Sequence, residues 1–522
     1  MVQWIDAGPL EALKSRGRRV FKSGRKQILL ISAGERIYAC NNRCPHEGYP
    51  LSEGTLASPC TLTCNWHNWK FDLASGDTLV GGDRLRLYPV ELREGRIWVD
   101  VTDVPAEHRQ ARALTNLEEA CTDNDYERIA REVARYVRAD GDPLEPLRHL
   151  VALSAARFEY GMTHAFAAAA DWLALRSSAT TQEEQLIAVV EPIAHIAWDT
   201  LRQPECPYAQ SSASWDGEAF VSAIEAEDEA RAIARLSGAL QENIPLADLK
   251  QAFAKAALAH YQDFGHSAIY VRKSFELIEA LGQSAAAPIL MALTRSLVYA
   301  TREDRIPEFR GYAKALANWP QESSAKCAAR DLIGLSVNAT LDRVLTIPGS
   351  NEDKYRTLLE ASAIAMLRFD VSVDTQSDKP VSHNVRWLDF THALTFANAV
   401  RQLCAVQPHL WPQALLQMAC FLGRNTQFLL PQADEAWFVV DGVSFLARER
   451  QAPFDHGIRE PIFACHRVKV LAAVAEETAW AGDGSLARHL VAAANRYLNT
   501  PIKSHHALRS ARQALSFVEA EG

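Results

Sequence analysis

The chain has 522 residues, 48% of them hydrophobic, and is long enough to bury more than one core. Its net charge is −9 and no basic run stands out, which argues against nucleic acid as a partner. Ten cysteines are scattered along the chain rather than grouped as a disulfide framework. No signal sequence and no apolar run of about 20 residues occurs, so we expect a cytoplasmic protein without a membrane contact.

Residues 1–104 are predicted to form a small all-β domain. Short apolar runs such as Gln27 to Ser32 and Arg36 to Ala39 are separated by Gly, Pro and Asp, which is typical of strands and turns. Residues 105–115 begin with Pro105 and carry several charges, and we interpret them as a linker.

Four residues of ligand type lie in two short stretches of this domain. They form Cys44-x-His46 and, after seventeen intervening residues, Cys64-x-x-His67. Two thiolates can hold one iron and two neutral imidazoles the other, which is the ligation of a Rieske [2Fe–2S] centre. The flanking stretches 44–54 and 64–72 resemble the two cluster loops of Rieske proteins.

An alternative reading of the same region is structural zinc. Cys40, Cys44, Cys60 and Cys64 form two Cys-x-x-x-Cys pairs, and four thiolates can hold zinc. That reading leaves the two histidines without a role, so we favour the cluster and regard Cys40 and Cys60 as ordinary strand cysteines.

The resemblance to Rieske proteins also implies a reduction potential. Rieske centres of respiratory complexes carry an extra cysteine in each loop, and a serine and a tyrosine two and four residues after the last histidine. Here those two positions are Trp69 and Phe71, and neither loop has the extra cysteine. With fewer donors to sulfur, we expect a potential at the low end of the Rieske range, as in ferredoxin or oxygenase centres.

From about Asn116 the pattern changes to that of helices. Alanine and leucine dominate, and apolar residues recur at spacings of three and four, as in Tyr126 to Arg138. The sequence therefore predicts a multidomain protein, with a large all-α domain of repeated helical units over residues 116–522. It contains no glycine fingerprint of a flavin or nicotinamide domain, and it differs from the sheet-based iron domain of ring-hydroxylating oxygenases.

Histidines recur at similar places in this helical region. His164, His266, His392 and His466 each begin an apolar helical run, and each has a second histidine upstream. We interpret this as a degenerate repeat that projects metal ligands into a common interior, although a core histidine bonded to a carbonyl is the alternative for each one. The candidate metal ligands are His149, His164, His195, His260, Asp263, His266, His383, His392, His456 and His466.

Further carboxylates lie near these histidines. Asp389 precedes His392 by three residues, and Glu191, His195 and Asp199 are spaced to share one helix face. Four aromatic residues are candidates either for the core or for the lining of a substrate pocket, namely Trp172, Trp198, Trp387 and Tyr270.

Two segments resemble the helical questin-oxidase-like family, which cleaves aromatic polyketides oxygenatively. They are Phe264 to Tyr270, continuing through Glu276-Leu277-Ile278, and Thr391 to Ala397. The resemblance implies an oxidase or oxygenase with histidine-rich active-site helices, and it does not identify the substrate.

The leading hypothesis is a Rieske-fused non-haem iron oxygenase or oxidase. An external reductase or ferredoxin would reduce the cluster. Iron bound by helical histidines, as one or more ions, would activate O2 on a small organic substrate, with aromatic molecules among the candidates. One alternative is an electron-transfer protein whose helical domain is a docking scaffold for a separate oxygenase. A third is a metal-dependent hydrolase. A homo-oligomer is expected by analogy with Rieske oxygenases alone.

Overall fold

The computed structural model describes residues 3–57, 60–320 and 327–521. The chain divides into two compact units, Met1–Pro143 and Leu144–Gly522. The first contains the strands and the second is helical, which confirms the predicted fold class. Within the described residues, no helix has the length and apolar character needed to span a bilayer.

The first unit is built on three antiparallel sheets. Their strand orders are β1-β10-β9, β2-β3-β4 and β5-β6-β7-β8. The strands in the described part of this unit are β1 Trp4–Pro9, β2 Arg18–Ser23, β3 Lys26–Ala33, β4 Arg36–Asn41, β5 Thr55–Ala57, β6 Thr61–Thr63, β7 Lys70–Asp72, β8 Thr78–Val80, β9 Val90–Arg93 and β10 Arg96–Asp100. A short helix, α1 Leu10–Lys14, follows β1.

Strand β3 is buried on both faces and joins two hydrophobic cores. Leu29 and Ile31 point into the core that also contains Cys44 and Cys64. Ile28 and Leu30 point into a second core with β10. Because successive side chains of a strand point to opposite faces, one run of apolar residues serves both cores.

The predicted linker over residues 105–115 is helical, and this part of the prediction was wrong. Helix α2 spans Ala106–Asp123 and begins after Pro105, and α3 spans Tyr126–Arg138 and packs against it. The buried residues of α2 lie at 113, 117, 120 and 121, which is the spacing of one helical face. Both helices belong to the first unit.

A buried carboxylate joins α3 to the β-sheets. Asp83 is 1% exposed and receives Arg128 Nε at 2.9 Å, Arg131 Nε at 3.2 Å and a terminal nitrogen of Arg135 at 2.9 Å. The arginines lie at spacings of three and four on α3, so they share one face of the helix. This ion-pair group fixes the helix on the sheets.

The second unit contains the remaining helices. Those within the described residues are α4 Glu145–Ser154, α5 His164–Arg176, α6 Gln182–Thr200, α7 Gly217–Glu225, α8 Glu229–Gln241, α9 Leu246–Ala257, α10 His266–Leu281, α11 Ala286–Val298, α12 Gly311–Ala317, α13 Val337–Thr346, α14 Asn351–Leu367, α15 Ser372–Thr375, α16 Trp387–Val406, α17 Trp411–Asn425, α18 Gly442–Glu449, α19 Pro461–Ala481, α20 Ser485–Asn499 and α21 Ala507–Ala520.

Four of these helices form a closed inner ring. Helices α5 and α16 each pack against both α10 and α19. Each inner helix also packs against the helix that follows it, namely α6, α11, α17 and α20. Small side chains allow this close packing, since the alanines from Ala165 to Ala170 on α5 are all buried.

Buried ion pairs connect the inner helices to one another. Lys273 on α10 pairs with Asp171 on α5 at 2.8 Å, and Arg272 on α10 pairs with Glu476 on α19 at 2.7 Å. Asn398 on α16 donates to Glu477 on α19 at 2.7 Å. Removing one partner of such a pair leaves a buried charge uncompensated, so the contacts resist displacement of the helices.

Replacing Asp83 tests whether its ion pairs hold α3 on the sheets. Asp83→Ala should destabilise the first unit by about 3 kcal/mol, because it leaves the buried Arg128 without one carboxylate partner. Hydrogen exchange of the full chain should become faster in α3 and stay unchanged in α5. Asp83→Asn, which keeps an acceptor oxygen, should have a smaller effect, and unchanged exchange of α3 in Asp83→Ala would contradict this role.

Candidate functional site

The two loops that carry the Cys/His motif each contain a backbone turn with the same hydrogen-bond pattern. In the first, Cys44 N donates to Tyr49 O, and Gly48 N donates to Cys44 O, both at 2.8 Å. In the second, Cys64 N donates to Trp69 O at 2.7 Å, and Asn68 N donates to Cys64 O at 2.9 Å. Gly48 and Asn68 both have positive φ, at +78° and +60°. The turns therefore present two equivalent cysteines.

The side chains of these loops fit a two-iron cluster. Cys44 and Cys64 are buried, and the rings of His46 and His67 lie 4.8 Å apart between centroids. Backbone hydrogen bonds reach the Cys44 sulfur from His46 and Glu47. His46 Nδ1 is buried without a hydrogen-bond partner among the described residues, as expected of an atom whose partner is a metal. Thiolates and imidazoles together are Rieske ligands.

The surroundings of these ligands bear on the zinc alternative and on the potential. Cys60 Sγ donates to Asp72 Oδ1 at 3.4 Å, and Cys40 is buried within β4.

Trp69 stacks on the His46 ring at 4.6 Å, and Phe71 is buried in the core. Neither of these two side chains offers a hydroxyl donor to a cluster sulfur, so the low potential stays a prediction.

In the second unit four histidines meet inside the ring of inner helices. His164 and His266 begin α5 and α10, and His392 and His466 lie in the second turn of α16 and α19. His164 Nε2 lies 3.1 Å from His266 Nε2 and 3.4 Å from His392 Nε2. His392 Nε2 lies 3.3 Å from His466 Nε2. We call these four residues the histidine cluster.

These spacings are those of ligands around one ion. Nitrogens that each lie about 2.1 Å from a shared metal are about 3.0 to 3.4 Å apart. One ligand atom from each of His164, His266 and His392 falls within 4.8 Å of the others, which is compatible with a metal site. These three residues therefore have the geometry to bind one transition-metal ion, and His466 adjoins them through its contact with His392.

In three of the imidazoles, the ring edge opposite Nε2 is hydrogen-bonded to the backbone. His266 Nδ1 donates to Asp263 O at 2.5 Å, and His466 Nδ1 donates to Ile462 O at 2.6 Å. His392 is also hydrogen-bonded to the Leu388 backbone. For His164 the neighbour is the Tyr270 hydroxyl, 3.4 Å from Nδ1. A proton on Nδ1 leaves a lone pair on Nε2, the usual arrangement in histidine ligands.

The four imidazoles are neutral at neutral pH. Burial lowers the pKa of His266 to about 4, and it lowers the pKa of His164, His392 and His466 well below the ordinary value. The positive charge of Lys469 lowers these pKa values further. Neutral imidazole is the form that binds metals.

A strained turn sets the position of His266. Asp263, Phe264 and Gly265 have φ values of +50°, +45° and +77° in succession. A side chain at Gly265 would come within 2.6 Å of the Phe396 ring and 2.9 Å of the Phe421 ring. Non-glycine residues in this region cost about 1 kcal/mol or more, so the surrounding packing must hold the turn.

The other predicted ligands lie elsewhere. His260 pairs with Glu225 at 3.1 Å, and His456 pairs with Glu191 at 3.2 Å. His383 is exposed, and its ring packs against Phe428. His149 is on α4, outside the inner ring. These upstream histidines thus do not join the cluster. His260 and His456 pair with carboxylates that are remote in sequence, and His383 packs against Phe428.

Two of the predicted residues lie beside the cluster. Asp263 contributes its backbone carbonyl to His266, while its carboxylate stays 3.8 Å from His266 Nδ1. His195 on α6 is buried, and its Nε2 lies 3.6 Å from Asp199 Oδ2. Its Nδ1 has no hydrogen-bond partner among the described residues.

A cavity of about 380 Å³ leads to His164. Its lining residues are Thr163, His164, His195, Trp198, Asp199, Glu460, Pro461 and Ile462. Thr163 Oγ1 donates to Asp199 Oδ2, and burial raises the pKa of Asp199 to about 6. Of the aromatic candidates, Trp198 lines this cavity, Tyr270 faces His164, and Trp172 and Trp387 are fully buried.

Lys469 is a residue that the sequence reasoning missed. It lies on α19 three residues after His466, is 2% exposed, and its Nζ has no hydrogen-bond partner among the described residues. Burial lowers its pKa. The spacing His466-x-x-Lys469 places both residues on one helix face, and this signal was available in the sequence.

The turn before His266 can be tested with two matched glycines of α10. Gly265→Ala should loosen the cluster and weaken metal binding there, because the new methyl group meets two phenyl rings. Gly282→Ala, at the other end of α10, has a similar φ of +93° with no atom within 4 Å of the new methyl group. Metal analysis should show a loss in the first variant only; equal metal content in both would contradict the role of the turn.

Comparisons with known proteins concern the N-terminal part of the chain. The model of the family described as Rieske [2Fe–2S] domain matches residues 3–84. The 3-phenylpropionate/cinnamic acid dioxygenase ferredoxin subunit of Escherichia coli K12 is 36% identical over 78 residues, which are 15% of this chain and 74% of that subunit. The ferredoxin component of the alkene monooxygenase system of Xanthobacter autotrophicus is 26% identical over 107 residues, which are 20% of this chain and 88% of that protein.

Other matches cover smaller parts of larger proteins. The 4beta-methylsterol monooxygenase of Methylococcus capsulatus is 34% identical over 93 residues, and the chain spans 25% of its length. Among solved structures, the terminal oxygenase of carbazole 1,9a-dioxygenase from Nocardioides aromaticivorans IC177 gives a TM-score of 0.19 at 26% identity, covering 20% of this chain and 31% of that one. The family of the helical unit is not established by these matches.

The family model and the identity to a ferredoxin subunit agree with the paired cluster loops. Through residues 3–84, this chain belongs to the Rieske [2Fe–2S] family.

Proposed function

We propose that this chain is an O2-dependent oxidoreductase in which the Rieske domain supplies electrons to a non-haem iron held by the histidine cluster. The observation that carries the proposal is the convergence of four neutral imidazoles, whose Nε2 atoms are 3.1 to 3.4 Å from their neighbours. Such a donor set suits divalent iron and other first-row transition metals. The attached one-electron domain favours a redox metal over zinc.

The relatives support an oxygenase system as the setting. Of the three relatives described above, one is the ferredoxin component of a monooxygenase system, one is the ferredoxin subunit of a dioxygenase, and the third is itself a monooxygenase. In this chain the ferredoxin-like domain is continuous with a helical unit of 379 residues, Leu144 to Gly522. We therefore infer that one polypeptide combines the electron carrier with the catalytic unit.

The overall reaction would be O2 + RH + 2 e⁻ + 2 H⁺ → ROH + H2O. A bound iron would supply O2 binding and reduction. The ring of helices would exclude water, because its interior is lined by buried alanine and apolar side chains. The cavity beside His164 would admit the substrate, and its Trp198, Pro461 and Ile462 favour a small, largely apolar organic molecule.

In this proposal Asp199 would deliver the protons that the reaction consumes. Its carboxyl lines the cavity, is 20% exposed, accepts a hydrogen bond from Thr163 and lies near His195. Burial raises the pKa of this carboxyl to about 6, so it exchanges protons close to neutral pH.

The electron-carrier alternative rests on the same relatives, two of which are ferredoxins. In that case the helical unit would only dock a separate oxygenase, and the histidine cluster would bind no iron. The two functions therefore differ in the number of irons bound to each chain.

The amounts of iron and acid-labile sulfide per chain in anaerobically purified protein distinguish the two functions. The oxidoreductase should contain three or more irons for two sulfides, and the double variant His266→Ala/His392→Ala should contain two of each. His260→Ala/His383→Ala is a matched control that removes two histidines outside the cluster, and it should keep the additional iron. Two irons and two sulfides in the wild type would contradict the proposal.

Asp199→Asn tests the proton pathway. The amide keeps a partner for Thr163 and cannot release a proton, so O2 consumption should fall by about a hundredfold with unchanged iron content. The solvent isotope effect on the remaining rate should increase. Glu460→Gln, in the same cavity, is the matched control and should keep the wild-type rate; an unchanged rate in Asp199→Asn would contradict this role.

A further inference from the structure

A wide groove of about 580 Å³ lies in the first unit, next to the first cluster loop. The loop contributes five lining residues, Arg43, Cys44, Pro45, His46 and Gly48. The rest of the wall comes from Asn41 of β4, the segment before β9, Val104, α2 and α3. Eight arginines line it, namely Arg43, Arg84, Arg86, Arg109, Arg112, Arg131, Arg135 and Arg138. We call this feature the arginine groove.

Half of these arginines have a carboxylate partner. Arg84 pairs with Asp77, Arg86 pairs with Asp103 at 3.0 Å, and Arg131 and Arg135 pair with Asp83. The one carboxylate that lines the groove, Glu132, is paired with Arg135. The local charge is therefore strongly positive in a chain whose net charge is −9.

The other four arginines form no ion pair with the described residues. They are Arg43, Arg109, Arg112 and Arg138. Arg43, Arg112 and Arg138 are exposed, and they come from the cluster loop, α2 and α3 respectively. Cations on three separate elements cover a broad surface, as needed to meet several acidic groups at once, and no buried cradle for a single anion is present among them.

The groove ends at a predicted ligand of the cluster. His46 lines it, and the His46 side chain is 26% exposed. An electron that enters or leaves the cluster through this imidazole passes at the edge of the positively charged surface. A bound partner would thus lie close to the cluster.

The chemistry of the cluster limits what this partner can be. A [2Fe–2S] centre accepts a single electron, whereas a nicotinamide transfers a hydride, which carries two. The immediate donor must therefore be a one-electron carrier, and the arginines select one with an acidic surface.

We propose that the arginine groove is the docking site for the acidic face of a one-electron donor protein, such as a ferredoxin or a flavoprotein. On docking, the donor loses one electron and the cluster gains one, and no atom is transferred. Complementary charge would also overcome the repulsion between an acidic donor and a chain of net charge −9, and would raise the association rate. The proposal concerns the Rieske domain and holds whether or not the histidine cluster binds iron.

Charge reversal at the exposed helical positions tests the proposal. The full chain, the variant Arg112→Glu/Arg138→Glu and the control Arg25→Glu would be mixed with a reduced, strongly acidic [2Fe–2S] ferredoxin in stopped flow. Arg25 is exposed in the turn between β2 and β3 and does not line the groove. The second-order rate constant should fall about tenfold or more in the double variant at low salt, and the difference should shrink at high salt. The control should lose much less.

Two further measurements make the result specific. Reduction by a photoreduced deazaflavin, and the reduction potential of the cluster, should be equal in all three proteins, which excludes damage to the cluster. An unchanged ferredoxin rate in the double variant, or an equal loss in Arg25→Glu, would overturn the proposal. So would pyrophosphate that binds the wild type alone and blocks reduction at constant ionic strength, since it would indicate a small-anion site.

Discussion

The helical unit depends on holding four neutral imidazoles with their lone pairs directed at one another. Buried polar atoms without a partner are costly, and the Nε2 atoms of the cluster have mainly each other as neighbours. Carbonyls of Asp263 and Ile462 fix the opposite ring edge and thereby fix this orientation. A metal ion bound by His164, His266 and His392 would satisfy the lone pairs of these three residues, so metal binding and the stability of the inner ring should be coupled.

The rest of the unit keeps these helices at the required separation. Alanines allow close approach, and ion pairs such as Lys273 with Asp171 and Arg272 with Glu476 connect different inner helices. In the Rieske domain the predicted ligands are brought together by two short loops with the same turn, rather than by the packing of separate helices. The proposed redox function would require both arrangements to be rigid, since ligand positions set the properties of a metal.

Features formed by residues close together in the sequence were predictable, whereas most contacts between residues remote in the sequence were not. The Cys44 and Cys64 loops are local, and flanking residues were enough to identify them. The four cluster histidines were predictable as a group because each lies near the start of a similar helical run, although only His164 and His266 are the first residues of their helices. The upstream histidines were grouped with them on spacing alone, yet His260 and His456 pair with Glu225 and Glu191, which are remote in sequence.

Other features needed the folded chain. The start of α2 looks like a linker because Pro105 and several charges dominate it, while its buried face becomes evident only against α3. The arginine groove combines side chains from the cluster loop, α2 and α3, so no single segment of sequence indicates it. Asp199 lines the cavity only because α6 packs beside α5, so its role likewise depends on the folded chain.

A single-turnover experiment tests the central claim most directly, namely that electrons from the Rieske centre are used at the histidine cluster. The protein would be reduced without oxygen, freed of excess reductant and mixed rapidly with O2, while the visible absorbance of the [2Fe–2S] centre is followed. We expect fast reoxidation in the iron-loaded wild type and much slower reoxidation in His266→Ala/His392→Ala with an intact [2Fe–2S] centre. Equal reoxidation rates in the two proteins would contradict it.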